Sequence, residues 1–266
     1  MKEPLPPVSA YIRTKNEARR IGNVVRAAKK GVSEVVVVDS GSTDDTVAIA
    51  EAAGAKVHHV PWRGNGGQKR AAEDLCAHDW LLDLDADEVI TEEMAASIRE
   101  LFKDGAEPEA PVYGLRQVHA VPFGEPWWGT DIIVKNKLYD RRRIRIPDHA
   151  AWDQLEHSKK TSPRLGGHML HYMFSDIGDL VKKQERNMTR RAANVPLKPK
   201  GQLALRILFA FPVYFLKRYL LKGLFRRGVY GFAFSMTIAY GRWLKDVKLY
   251  ERHLAAEAEA KEPLNA

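Results

Sequence analysis

The sequence predicts an α/β fold, a doubly wound and mostly parallel sheet flanked by helices, with a separate basic helical appendage at the C-terminal end. Three observations lead there. Strand-like and helix-like segments alternate over about the first 100 residues, the rhythm of a sheet built from βα units. The run Glu34-Val-Val-Val-Val-Asp39 is apolar and β-branched without a break, as in a parallel strand covered on both faces. The charge is segregated: residues 196–253 hold 12 Lys/Arg against Asp246 and Glu251, a net of +10, which leaves −2 for the rest of a chain whose net is +8. The same segment holds 12 of the 24 aromatic residues, so the basic character belongs to a region of its own.

With 266 residues, 45% hydrophobic and 29% charged, the chain can bury a substantial core and is not disordered as a whole. One cysteine, Cys76, leaves no intramolecular disulfide and no cysteine-based zinc cage, and fits a reducing compartment. The start, Met1-Lys-Glu-Pro-Leu-Pro-Pro7, lacks the apolar stretch of a secretory signal. The longest candidate span, Gly228 to Gly241, is too short and contains three glycines. The expectation is a chain that stays on the cytoplasmic side of the membrane.

Val8-Ser-Ala-Tyr-Ile12 reads as the first strand and Asn16–Lys30 as a helix closed by Gly31. After the Glu34–Asp39 strand, Thr43–Ala53 reads as a helix capped by Ser42 or Thr43, with Asp44 and Asp45 in its first turn. Lys56–Val60 is a strand, Gln68–Ala77 a helix, Trp80–Leu84 a strand and Thr91–Phe102 a helix capped by Thr91. The rhythm then changes. Tyr113–Val121 and Ile132–Tyr139 read as strands joined by a Pro/Gly/Trp-rich loop, Gly166–His171 as one more strand, and Ser175–Asn194 as a helix. A linker at Pro196–Gly201 divides a catalytic domain, 1–195, from a tail, 196–266. The tail reads as helices over Leu203–Leu221 and Lys222–Arg252, with Pro212 breaking the first. Val213, Leu216, Leu220 and Leu224 fall on one helical face, and Arg218, Lys222 and Arg226 on another.

Ligands of open α/β sheets sit beyond the carboxyl ends of the strands. Three polar clusters fall there: Thr14-Lys-Asn-Glu17, Asp39-Ser-Gly-Ser-Thr-Asp44 and Asp83-Leu-Asp-Ala-Asp-Glu88. Helix capping accounts for much of the first two, but Asp39 ends a buried strand and faces any ligand. In the third, Asp83, Asp85 and Asp87 point to one side of an extended stretch. Carboxylates that close repel, and a hard divalent cation such as Mg²⁺ or Mn²⁺ would offset the repulsion while binding substrate phosphates.

These three segments, Val8–Glu17, Val35–Thr46 and Asp79–Glu88, resemble in letters, order and spacing those of the family 2 glycosyltransferases with the GT-A fold, and within them the lipopolysaccharide-core glucosyltransferases of Gram-negative bacteria. The resemblance covers roughly residues 8–195. It implies a nucleotide-sugar donor, UDP-sugar foremost, with Thr14, Asn16, Glu17, Asp39 and Gly41 lining the nucleoside pocket and Asp39 on the base. Asp85-Ala86-Asp87 would be the DxD motif, Asp85 at the ribose or diphosphate and Asp87 on the Mg²⁺ or Mn²⁺. Gly64-Asn-Gly-Gly-Gln-Lys-Arg70 matches a family segment that commonly ends in Asn. A helix beginning near Gln68 would offer its N–H groups, and Lys69 a cation, to phosphate.

Inverting transfer needs a carboxylate to take the acceptor hydroxyl proton. Relatives carry His-Glu-Gln-Leu where this chain has Trp152-Asp153-Gln154-Leu155, which aligns Asp153 with the base; Glu156 and Asp148 are the alternatives. His171 matches a family histidine and is a candidate metal or diphosphate contact. Arg141, Arg142 and Arg143 could hold diphosphate or form a solvated face. The basic, aromatic tail reads as an interfacial helix pair on an anionic membrane surface, with a helical packing or dimerisation subdomain as the alternative and no nucleic-acid motif beside the charge. The expected activity is metal-dependent, inverting transfer of a sugar, UDP-glucose first, to a membrane-borne glycolipid such as lipopolysaccharide core, by a peripheral protein on the cytoplasmic face of the inner membrane. The competing readings are a polyprenyl-phosphate glycosyltransferase and a non-catalytic nucleotide-sugar-binding membrane protein.

Overall fold

The computed structural model describes residues 4–150 and 152–260. The chain forms two compact units, one of the residues up to Ala120 together with Ile132–Tyr172, the other of Val121–Asp131 with the residues from Met173 onward.

The first unit is an eight-stranded mixed sheet with helices. Its elements are β1 (Val8–Thr14), α1 (Ile21–Ala28), β2 (Glu34–Asp39), α2 (Thr46–Ala52), β3 (Lys56–His59), α3 (Asn65–Leu75), β4 (Trp80–Asp85), β5 (Glu88–Ile90), α4 (Glu92–Leu101), β6 (Val112–His119), β7 (Ile133–Asp140) and β8 (Met169–His171). The strand order is β3-β2-β1-β4-β7-β6-β8-β5. The first four are parallel, as expected. β7 runs antiparallel to both β4 and β6, and β8 is parallel to β6 and antiparallel to β5. The architecture is that of the GT-A expectation, a parallel half extended by antiparallel strands.

Both faces of β1, β2 and β4 are covered, which is why they read as mostly apolar and β2 as an unbroken apolar run, while the edge strand β3 is only half-buried. Ala10, Ile12, Val35, Val37, Leu82 and Leu84 pack into a core with α1 and α4. Their neighbours Tyr11, Val36, Val38 and Leu81 point the other way, onto Ala72 and Cys76 of the α3 side.

Element ends differ from the sequence expectations in ways that matter for the site. The helix expected from Asn16 begins at Ile21, because Asn16 has a left-handed φ of 54°. The next helix has Asp45, not Ser42 or Thr43, at its N-cap position, and the Asp44 carboxylate accepts from Thr46 N. Thr91 caps α4 as expected, accepting from Met94 N. β5 was not expected. It follows β4 by two residues, yet pairs with β8 at the far end of the strand order, Glu88 opposite His171. The sheet therefore curls until the end of β4 meets β8.

The second unit holds α5 (Ile177–Ala193), α6 (Lys200–Leu216) and α7 (Gly228–Glu259). Val121, Trp127, Phe174, Leu180, Leu224 and Phe234 form its main core, and Ala192, Leu203 and Leu249 a second. Division by contacts thus groups α5 and the Val121–Asp131 loop with the tail, where the sequence suggested a boundary at 195/196. Pro212 does not break its helix: α6 runs through it to Leu216. The carbonyl it leaves unpaired belongs to the exposed Leu208, where water can serve it. The break comes later, at a π turn over Lys217–Leu221 and a left-handed Gly223. The second tail helix correspondingly starts at Gly228, not Lys222. Among the described residues no helix is long and apolar enough to cross a membrane.

Candidate active site

The carboxyl ends of β1, β2 and β4 bring the three polar clusters to one sheet edge. At β1 and β2, Thr14 lies in register with Asp39. Thr14 is buried and its hydroxyl has no hydrogen-bond partner in the structure. Asp39, only 3% exposed, accepts from Gly41 N and Ser42 N and from the Ser42 hydroxyl, so its carboxylate shapes its own turn. Burial alone would raise its pKa, but these donors outweigh it and hold the carboxyl below its ordinary value. Gly41 has φ 96°, which a side chain would strain. The left-handed turn at Asn16 aims its side-chain oxygen at Thr43 N, 2.8 Å away, and Glu17 N donates to the Thr46 hydroxyl. Thr14, Asn16, Glu17, Asp39 and Gly41 thus form one connected rim.

At β4 the acids are already neutralised by the protein. Lys69 Nζ lies 2.6 Å from Asp83, both nearly inaccessible. Lys137 of β7 is also buried and lies 2.8 Å from Glu88 and 3.5 Å from both Asp83 and Asp85. Arg13 of β1 binds Asp85 through Nε at 2.9 Å and Asp153 through Nη2 at 2.7 Å. Burial would push the Asp85 carboxyl up, but Lys137 and Arg13 hold it well below the usual range. Glu88 goes the other way, raised by burial against the pull of Lys137. The acidic run therefore does not need a cation for its own stability, contrary to the sequence argument. Among the described residues no three His, Cys, Asp or Glu side chains are gathered as a metal cage. What remains is a pair: Asp87 Oδ2 and His171 Nε2 face each other at 3.5 Å, brought together by the β5–β8 pairing. Gln117 of β6 lies 2.9 Å from the other ring nitrogen of His171.

Asp153 arrives from a loop pressed onto the start of α3. Asn65 N donates to Ala150 O and Gly66 N to His149 O. A Cβ at Gly66 would sit 2.2 Å from the Pro147 carbonyl oxygen and 2.4 Å from that of Trp152, so only glycine admits the loop. The helix begins at Asn65 rather than Gln68, and these first N–H groups are spent on the loop, not offered to phosphate as expected. Lys69 likewise points to Asp83, with Asp153 3.9 Å away. Asp153 lines a cavity of about 120 Å³ with Lys69, Asp85, Lys135 and Lys137. Glu156 and Asp148 are both exposed and line no part of it.

The arginine run is elsewhere. β7 is antiparallel to β4, with Asp140 opposite Trp80, so its C-terminal end lies at the opposite sheet edge from the acids. There Arg141 binds Asp79 and the carbonyls of Glu73 and Cys76, and Arg142 binds Asp140. The diphosphate reading of Arg141–Arg143 is withdrawn. The same antiparallel direction brings Lys135 and Lys137 to the site, and sequence reasoning passed over both. The signal was there: two lysines two apart in a strand share a face. Arg13, a charge ending an apolar strand, was equally visible.

The sequence model of Glycosyl transferase family 2 matches residues 9–158, which contain every acid of the candidate site. An uncharacterised glycosyltransferase of Rickettsia felis is 32% identical over 259 residues, covering 94% of this chain and 92% of that protein. The lipopolysaccharide core biosynthesis glycosyltransferase LpsC of Rhizobium meliloti is 27% identical over 268 residues, 94% of each chain. Among solved structures, glucosyl-3-phosphoglycerate synthase of Mycobacterium tuberculosis, in complex with Mn²⁺, UDP and glucosyl-3-phosphoglycerate, is similar at 24% identity and a TM-score of 0.34. That likeness covers 43% of this chain and 44% of the other, less than half of each.

Proposed function

Since the chain belongs to glycosyl transferase family 2 and is a glycosyltransferase, we propose that it moves a sugar with inversion from a nucleoside diphosphate donor to a membrane-borne glycolipid, lipopolysaccharide core being the acceptor its likeness to LpsC favours. The observation that carries the reading is Arg13, which ties the DxD acid Asp85 to Asp153 from a position 140 residues away in sequence. Asp85 and Asp153 both line one cavity.

In this reading the nucleoside lies on the rim of Thr14, Asn16, Glu17, Asp39 and Gly41, where the unpaired Thr14 hydroxyl supports a ligand contact. Asp87 and His171 suit Mg²⁺ or Mn²⁺, which accept few protein donors and complete their shell with phosphate oxygens and water. Bound there, the ion would supply Lewis-acid stabilisation to the departing diphosphate. Arg13, Lys69 and Lys137 add fixed positive charge. Asp153 takes the acceptor hydroxyl proton.

The test is turnover with a panel of UDP-, GDP- and ADP-sugars, UDP-glucose first, with and without Mn²⁺. Asp153→Asn should lower turnover about 10²–10⁴-fold while donor affinity stays near wild type. Glu156→Gln and Asp148→Asn should leave turnover unchanged. Full activity in Asp153→Asn would remove it as base. Asp87→Ala should abolish Mn²⁺-dependent donor binding in calorimetry, and unchanged binding would remove Asp87 from the metal site.

A further inference from the structure

Helix α6 turns an apolar face outward. Leu205, Leu208, Phe209, Val213 and Leu216 recur at i, i+3, i+4, i+8 and i+11, one face of a helix. They are 63%, 69%, 65%, 61% and 47% exposed. The opposite face is anchored: Leu203 is buried beside Leu249, the Ile207 carbonyl accepts from the Trp243 indole, and Arg206 pairs with Asp246. The helix is thus fixed by α7 with its apolar side outward. The face read from sequence, Val213, Leu216, Leu220 and Leu224, is corrected at its last member, which is buried in the core. Leu221, 80% exposed, continues the apolar surface instead.

This surface is bordered by an excess of positive charge, of which Lys200, Arg206 and Arg218 are paired with carboxylates. Residues 196–245 contain ten Lys/Arg and no Asp or Glu. Four of them, Lys217, Arg218, Lys222 and Arg242, line with Tyr214 a cavity of about 110 Å³ at the end of α6. Asp131 pairs with Arg218 and lies 4.0 Å from Lys222, so it meets two of these four cations. Burial and the neighbouring charge of Arg242 both press on the Arg218 guanidinium, against the support of Asp131. Tyr214 and Lys217 alternate in sequence with Val213 and Leu216, so cavity and apolar face lie within a turn of each other.

We propose that this face is a bilayer-docking surface: α6 lies in the plane of an anionic membrane with its apolar side at the acyl boundary, and the cationic cavity beside it seats a lipid phosphate. An anionic bilayer offers both halves of the required chemistry, a phosphate layer over an apolar layer. A second copy of the chain would bring the same excess positive charge against it. A soluble polyanion would leave the apolar face in water. The inference deepens the proposed function by naming the surface that reaches a membrane-borne acceptor. It rests on that reading for its purpose, so its vesicle-binding assay omits donor and acceptor.

The experiment is flotation of the full chain with phosphatidylcholine vesicles, with and without added phosphatidylglycerol. Binding should require phosphatidylglycerol and weaken with salt. Leu208→Asn with Phe209→Asn, both at exposed positions, should weaken it by about tenfold or more. Lys222→Gln and Arg242→Gln should each cost about fivefold. No binding at low salt, or binding indifferent to both sets of variants, overturns the proposal. So does stabilisation by inorganic phosphate without vesicle binding, which would assign the cavity to a soluble anion. A wild-type dimer in light scattering that the Leu208/Phe209 variant dissociates, with no vesicle binding, would make the face a self-association surface. Donor-induced thermal stabilisation on the same preparations keeps the two readings apart: vesicle binding without it sinks the activity and spares the surface.

Discussion

At Arg13 one guanidinium serves two carboxylates, Asp85 through Nε and Asp153 through Nη2. That requires a planar fork, which lysine lacks. Arg13→Lys is therefore expected to keep the fold and lose turnover by about 100-fold, since Asp153 is no longer held over the site. Wild-type turnover in the lysine variant would show that charge alone suffices. Gln117 is a second such residue. Its amide can present either its NH₂ or its oxygen to His171 Nδ1, and its Oε1 is otherwise buried without a partner. With the oxygen turned to Nδ1–H, Nε2 is left bare to face a metal beside Asp87. Gln117→Leu should weaken Mn²⁺ binding about 10–100-fold in calorimetry, and unchanged affinity would make the contact merely structural. Cys76 is the opposite case: burial pushes its thiol up to about 12, and it should resist alkylation until the chain unfolds. The acids of the site were legible because acidic residues at strand ends have few other reasons to be there. Their cations were passed over because a lysine's partner depends on which strand lies alongside.

The elements show where periodicity carries information and where it does not. β1, β2 and β4 were legible because both their faces are buried, which leaves mostly apolar runs. β5 was not, since three residues have no period and its pairing with β8 depends on the curl of the sheet. The start of α3 was misplaced because Gly64, Gly66 and Gly67 look like a loop. They are glycines for a tertiary reason, the approach of residues 147–152. Gly66→Ala should displace that loop and carry Asp153 with it. The expected result is faster proteolysis near residue 150 and lower turnover, with a stability loss of about 1–3 kcal/mol in thermal denaturation. An alanine variant with native proteolysis and native turnover would show that the loop tolerates the shift.

Across the whole molecule, charge is divided between the two units in a way that predicts its acid response. The first unit holds Glu34, Asp39, Asp85 and Asp140, all with carboxyl pKa values lowered in the fold. In Glu34 burial opposes the shift, but Lys56, the Ser9 hydroxyl and Ala77 N outweigh it. A carboxyl whose folded pKa lies below its unfolded value stabilises the fold above the unfolded pKa, and that stability is lost as pH falls through the folded one. Glu88, raised by burial, runs the other way: its ionised form costs stability near neutrality, and protonation relieves that cost. Four groups against one give a net loss below about pH 4, the unfolded range of Asp and Glu. The carboxyls with lowered values all lie in the first unit, so the loss is expected there first. Hydrogen-exchange protection in β1 and β2 should therefore fall between about pH 5 and 3 more steeply than in α7. Glu34→Gln should flatten the dependence in β2 by removing one titrating carboxylate. If α7 loses protection first, or Glu34→Gln leaves the slope intact, acid sensitivity does not originate in these carboxylates.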